Sequence, residues 1–302
     1  MVEVLREAIR VSSQHPLAGV AFATASAFSF SLLNVVVRFS EPYLSVWQMM
    51  FARSVFGLVM VALLARWSGI NLWGRGRKTL VGIGFTNVAN VLCLTSAIFL
   101  LPLFEALILL YFYPVFAALI SPTISGDHLE KADWGIMALG LLGMTLVLWP
   151  GQLNASLSLG HALGLAAAFC YGLTTTLIRR AVKTNHNFVP FFYVCLVGCL
   201  VCGPVVFWQQ PIVRLPAEGW GALLALSVFG AAAYLFSNKA LEFLSSPKVG
   251  VISMSEVAFS SFFGLILFGE QLGWLMVLGG GLILISGVLL SFKTGRLRRH
   301  LL

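Results

Sequence analysis

Ten apolar stretches follow one another along this chain with only short joints between them, over residues 17–38, 43–65, 80–100, 103–123, 132–150, 160–179, 188–208, 219–239, 247–268 and 272–292. Each is close to the ~20 residues that an α-helix needs to cross the hydrocarbon core of a bilayer. Lipid offers no partner to backbone amides and carbonyls, so such a stretch must satisfy its own hydrogen bonds, which a helix does. The joints carry turn formers, among them Glu41-Pro42, Ser68-Gly69, Leu101-Pro102, Pro150-Gly151, Gln210-Pro211 and Ser246-Pro247. Only 10% of the 302 residues are charged, against about 25% in a soluble domain. The predicted fold class is an all-α polytopic membrane protein with ten transmembrane helices, and its first partner is the lipid bilayer.

A formal net charge of +8 would point to nucleic acid in a soluble chain. Here the basic residues stand at the ends of apolar stretches, as orientation signals do, and nucleic acid is excluded as a partner. With the N-terminus inside, the inner segments hold Arg6, Arg10, Arg66, Arg75, Arg77, Lys78, Lys131, Arg179, Arg180, Lys183, Lys248, Lys293, Arg296, Arg298 and Arg299, and the outer ones only Arg38 and Arg214. Both termini are expected in the cytoplasm, residues 1–16 as a lead-in and 293–302 as a basic tail.

The chain also matches itself weakly. Shifted by 143 residues, Ala240, Leu244, Phe259, Gly269 and Leu272 fall on Ala97, Leu101, Phe116, Gly126 and Leu129; shifted by 141, Gly19, Ala27, Phe28, Leu32 and Arg38 fall on Gly160, Ala168, Phe169, Leu173 and Arg179. Residues 17–150 and 160–292 therefore read as two five-helix repeats joined by an outer linker at 151–159. Five is odd, so the second repeat is expected to run through the membrane inverted relative to the first. Inverted pairs of this kind are the usual basis of alternating access in transporters.

Within the stretch Pro247–Glu270 one carboxylate, Glu256, stands near the middle. A charge at the centre of a membrane helix costs about 2.5–3.5 kcal/mol on insertion scales, so it normally meets a partner or a watery cavity. At ~1.5 Å per residue, Glu256 lies about 13 Å in from Pro247 and Arg53 about 15 Å in from Tyr43 on the opposite side, which brings both to the central third. Two readings stay open: a substrate or proton-coupling site, or a structural pair locking the second span to the ninth, with backbone carbonyls as a further partner for Arg53. Asn87 and Asn90, one helical turn apart, and Tyr113, the repeat counterpart of Glu256, line the same cavity or hydrogen-bond between helices. Tyr234 and Asn238 share a face of the eighth span; Lys239 beside them snorkels to the cytoplasmic surface or meets substrate or Glu256. Asn34 reads as a solvated helix end or an outer gate.

Small residues at four-residue spacing (Ala23, Ala27, Ser31; Gly164, Ala168, Gly172) and the glycines Gly140, Gly143 and Gly279-Gly280-Gly281 allow helices to approach closely, within the chain or between the copies of a homodimer. Cys195, Cys199 and Cys202 share one helical face inside an apolar stretch and read as packing residues, so no metal site is expected. No HExxH or complete phosphate-binding loop is present. The chain is not expected to be an enzyme or to carry a cofactor.

The segments PVFAALISPTISGDHLEKADWGIMALGLLG and EVAFSSFFGLILFGEQLGWLMVLGGGLILISG each run from a helix of small residues through a glycine-acidic turn into a glycine-rich closing helix. They resemble the segments that close the two halves of the EamA family of the drug/metabolite transporter superfamily, and the resemblance covers residues 17–292. The family pattern falls on Pro114, Gly126 and Asp127 in the first half and on Gly269 and Glu270 in the second, while Arg53 matches an arginine often seen in the second span. Asp127 stands where the family usually has glutamate, and Val257 where it has a second proline, which removes the sequence reason for a kink in the ninth span. The resemblance implies a secondary transporter of the bacterial inner membrane that moves, and typically exports, an amino acid or related small polar metabolite through a cavity between the halves, as monomer or dimer. A lone membrane carboxylate suits an amine-bearing solute or proton coupling, and Arg53 beside it would suit a zwitterion. The alternative is a polyspecific exporter of lipophilic cations, indicated if aromatics such as Phe112, Tyr113, Tyr234 and Phe259 surround Glu256. An intramembrane enzyme would need a second catalytic group that the sequence does not offer.

Overall fold

The computed structural model describes residues 16–40, 44–101, 106, 109–127, 129–147, 159–209, 217–268 and 274–299. They form eleven helices: α1 (Pro16–Ser40), α2 (Val46–Ser68), α3 (Arg77–Leu100), α4 (Tyr113–Ile124), α5 (Lys131–Val147), α6 (Leu159–Val182), α7 (Phe188–Gln209), α8 (Ala217–Phe243), α9 (Ser246–Ser253), α10 (Ser255–Phe268) and α11 (Trp274–Arg299). No strand occurs among the described residues. The lead-in before residue 16, most of the 151–159 linker, Gly269 and Glu270 lie outside them.

Helix ends follow local chemistry. The Gln48 N–H donates to the Ser45 hydroxyl at 3.3 Å and the Gln48 side chain accepts from the Ser45 N–H at 2.9 Å, a reciprocal cap that starts α2. Gly69, at φ +66°, ends it, a left-handed conformation that glycine adopts without Cβ strain.

Six of the ten expected spans, α1, α2, α3, α6, α7 and α8, are single helices long and apolar enough to cross a membrane. The others depart from the expectation in different ways. α5 is described over 17 residues, and α11 runs on through Arg299, so the expected tail from residue 293 is helical for most of its length. The fourth and ninth stretches are interrupted. In the ninth, the helix breaks at Met254, whose N–H is shared between the Gly250 and Val251 carbonyls at 3.2 and 3.3 Å, and α10 starts afresh at Ser255. In the fourth, Tyr111 and Phe112 form a turn before α4. Tyr111 and Met254 are 143 residues apart, the offset of the internal match. A break in the ninth stretch thus occurs without the proline that was taken as its cause.

The helices pair across the two halves. The most extensive contacts join α1 to α8, α3 to α6, α5 to α11 and α2 to α7. Exchanging the halves turns the first pair into the second and leaves the other two as they are. Polar ties lie inside the pairs: the Ser26 hydroxyl donates to the Ala233 carbonyl at 2.8 Å, and the Thr174 hydroxyl to that of Thr86 at 2.7 Å. The small-residue ladder of α1 is fully covered, with Ala23, Ala27 and Ser31 all at 0% exposure. Gly143 of α5 sits directly on the backbone of α11 at Gly279, while Gly280 and Gly281 face open space.

At the end of the bundle where Lys and Arg gather, a polar clamp joins the halves. Arg179 of α6 donates from Nε to the Asp127 carboxylate at 3.1 Å and from Nη1 to the Leu241 and Glu242 carbonyls of α8 at 2.6 and 2.8 Å. Lys183 donates to the Ser125 carbonyl at 2.6 Å and lies 3.7 Å from Asp127. Gly126, at φ +72°, turns the chain so that Asp127 can reach them. Burial pushes the Asp127 carboxyl up, but Arg179, Lys183 and the Ser125 hydroxyl outweigh it and hold the group below its ordinary value.

Candidate functional site

Two polar clusters lie within the bundle, and the sequence-predicted residues divide between them. The first gathers around Glu256 in the opening turn of α10. A carboxylate is favoured there because the unpaired N–H groups of a helix start carry partial positive charge. Asn34 of α1 donates from Nδ2 to Glu256 Oε1 at 2.8 Å, and the Tyr111 hydroxyl is a second partner of the same carboxylate. Tyr113 follows, buried at 2% exposure, with its ring 6.3 Å from Tyr111 and 4.5 Å from Tyr171, the latter edge-on. Its hydroxyl points at the Gly250 carbonyl at 3.5 Å. Pro114 packs on Gly250, where a Cβ would lie 2.8 Å from the proline ring, so the two interrupted spans touch at their breaks. Asn34 therefore belongs to the site and is not merely a solvated helix end.

The turn at Tyr111 explains a residue that the sequence did not single out. In a continuous helix, positions two apart point to opposite sides. Because the chain leaves the helix at Tyr111 and Phe112 and re-enters it at Tyr113, both tyrosines reach the Glu256 side. Tyr171, also missed, arrives from α6 where Gly172 lets α6 press on the α4 backbone, its Cα facing the Tyr113 carbonyl and the Ala117 N–H.

The second cluster lines a narrow cavity formed by α2, α3, α7 and α8, with Arg53, Asn87, Cys195, Gly230 and Tyr234 in its wall. Asn87 Nδ2 donates to the Tyr234 hydroxyl at 2.7 Å. Arg53 lies over Gly230, a position whose part in the site had no sequence signal beyond its small size. No ion pair joins Arg53 to Glu256; the pairing that equal depth invited does not form, because each charge is drawn into a different wall. Tyr171 joins the first cluster through its edge-on contact with Tyr113 and is not in the wall of the second.

Three expected residues lie elsewhere. Asn90 is buried at 5% exposure beside, not in, the cavity wall, with Oδ1 lacking a partner. Asn238 donates to the Asn187 carbonyl at 3.1 Å, away from Tyr234. Lys239 pairs with Glu242 at 2.6 Å, one turn along its own helix, and does not reach Glu256. Among the described residues no group of three His, Cys, Asp or Glu side chains could hold a metal ion.

Residues 17–149 and 158–292 each match the model of the EamA-like transporter family, which together is most of the chain. The chain belongs to that family. It is a multi-pass membrane transporter and not an enzyme. The chain is 28% identical to the pseudopaline exporter CntI of Pseudomonas aeruginosa over 90% of this chain and 95% of that protein, and 23% identical to the uncharacterized transporter sll1319 of Synechocystis over 94% and 96%. A protein of known crystal structure shares the fold with a TM-score of 0.78 at 17% identity, over 92% of this chain and 98% of that one. These likenesses extend over both halves of the chain.

Proposed function

We propose that this EamA protein is a secondary transporter that exports a small polar metabolite, an amino acid or related compound, across the bacterial inner membrane by alternating access. The observation that carries the reading is the separation of two opposite charges inside the bundle, Glu256 beside Asn34 and Tyr111 and Arg53 in the cavity wall with Tyr234. Separated charges that do not neutralise each other suit a solute that brings both. The likeness to a pseudopaline exporter supports export of a metabolite. Residues 17–150 and 160–292 act as the two moving halves, inverted relative to each other, with both termini in the cytoplasm. The interchange of the α1–α8 and α3–α6 pairs on exchanging the halves supports that symmetry. Glu256, with its hydrogen-bond-donating neighbours Asn34 and Tyr111, is the proton-coupling group.

A second reading has one observation in its favour. Tyr111, Tyr113 and Tyr171 do surround Glu256, as a site for lipophilic cations would require. Of the aromatics expected there Tyr113 is present, whereas Tyr234 faces Arg53 instead. Arg53, a second charge inside the same bundle, works against a purely cationic cargo. Proteoliposomes loaded with labelled amino acids or lipophilic cations, with and without a proton gradient, separate the two. Gradient-driven movement of an amino acid that Glu256→Gln abolishes, while exchange persists, is the expected result. Movement of cations alone would replace the first reading by the second.

A further inference from the structure

The bundle shows what a structural arginine looks like in this fold. Arg179 spends its donors on a carboxylate and two backbone carbonyls. Lys183, Lys239 and Lys248 likewise each have a carboxylate within 4.0 Å. Arg53, in the interior of α2, has neither: among the described residues its guanidinium makes no hydrogen bond and no ion pair. Leaving five N–H donors and a full charge unsatisfied within a membrane-spanning bundle is costly. Such a group is retained where something from outside supplies the missing anion.

The wall around it is built from donors. Asn87 Nδ2 donates to the Tyr234 oxygen at 2.7 Å, which uses an acceptor site of the phenol and leaves its own O–H proton for a third party. Gly230 gives the guanidinium a flat seat: a Cβ there would stand 2.9 Å from Arg53 Nε, 3.1 Å from Nη2 and 3.3 Å from Cζ. A planar fork held against a flat backbone matches the two oxygens of a carboxylate.

We propose that the Arg53 cavity is a carboxylate subsite, in which Arg53 takes the carboxylate of the cargo, the Tyr234 hydroxyl adds a further donor, and Gly230 keeps the guanidinium in register. The inference rests on reading the protein as a transporter of small polar metabolites, and it names the end of the cargo that this cavity holds. The cationic end then points towards Glu256.

The test uses the full chain in proteoliposomes and the labelled amino acid that it transports best, with the carboxamide of that same amino acid as competitor. The wild type is expected to prefer the acid to the amide by about tenfold or more, as for a charge-paired hydrogen bond. Measured in exchange, which Glu256→Gln spares, Arg53→Gln is expected to bring that ratio to near one, whereas Glu256→Gln keeps it. Gly230→Ala retains every polar group and forces only a flexible side-chain end to move, so it guards against a folding defect in Arg53→Gln and is expected to lower the ratio as well. A wild type indifferent to amidation overturns the subsite and leaves the metabolite reading standing. So does an unchanged ratio in both Arg53→Gln and Gly230→Ala. A wild type that moves no amino acid but moves a lipophilic cation defeats the underlying reading, and the subsite with it.

Discussion

The contact between Gly143 of α5 and α11 allows a quantitative prediction about how the last helices of the two halves hold together. An alanine methyl at Gly143 would lie 2.7 Å from the Gly279 carbonyl oxygen, 2.8 Å from Leu282 Cβ and 2.9 Å from the Ile283 nitrogen. Two of these atoms are backbone and the third is a Cβ, so none can rotate away. The helices must separate, which costs about 1–3 kcal/mol by analogy with overpacked cores. Against this stands the gain of about 1 kcal/mol in helix propensity that any glycine-to-alanine change brings. Gly281→Ala isolates that gain, because a Cβ there meets nothing within 4 Å. The difference between the two variants is therefore the clash alone. At about 2 °C per kcal/mol for a chain of this size, Gly143→Ala should melt about 2–6 °C below Gly281→Ala. The assay is the fraction of detergent-solubilised protein that stays monodisperse on size exclusion after heating. Equal melting of the two variants, or the reverse order, would show that α5 and α11 are not in backbone contact at Gly143.

Arg179→Ala should lower stability by about 1–2 kcal/mol, since it leaves the Leu241 and Glu242 carbonyls without their donor and takes from Asp127 one of its partners while Lys183 and Ser125 remain; a melting temperature equal to wild type would remove the clamp from the account. The Asp127 carboxyl is held below its ordinary value, so its contribution is complete above about pH 4, where an unperturbed aspartate is ionised, and is lost as pH falls through the depressed value. The stability gap between wild type and Asp127→Asn should accordingly shrink on acidification from pH 7 to pH 3, and a constant gap would contradict the assignment. Lys239→Ala removes an ion pair to the next turn of its own helix and a cation–π contact with Phe243; it should change stability by no more than about 1 kcal/mol and leave transport kinetics intact, and a loss of transport would return Lys239 to the site.

The parts of this fold that depend on periodicity and length are visible in the sequence: α1, α2, α3, α6, α7 and α8 fall where apolar runs place them. What hides the rest is helix interruption. Glu256 stands out as a lone carboxylate in an apolar run, and Arg53 as a lone cation, so composition and depth are enough to name them. Their surroundings depend on backbone geometry that residue types do not announce. Val257 in place of proline argues against a break, yet one forms at Met254, where α9 ends against Pro114 and Tyr113 through Gly250. Helix packing, not local propensity, sets that break.

The same interruptions account for the separation of the charges. A continuous ninth helix would leave Glu256 in mid-helix, without a helix start to favour it. A continuous fourth would turn Tyr111 away when Tyr113 faces inward. Broken as they are, the two spans touch at Gly250 and Pro114 and present a helix start, Tyr111 and Tyr113 to one side of the bundle, where Asn34 of α1 and Tyr171 of α6 meet them. Arg53 rides on α2, which is unbroken, and packs against α7 and α8 rather than against either broken span. Two charges carried by different kinds of element have no common wall on which to pair.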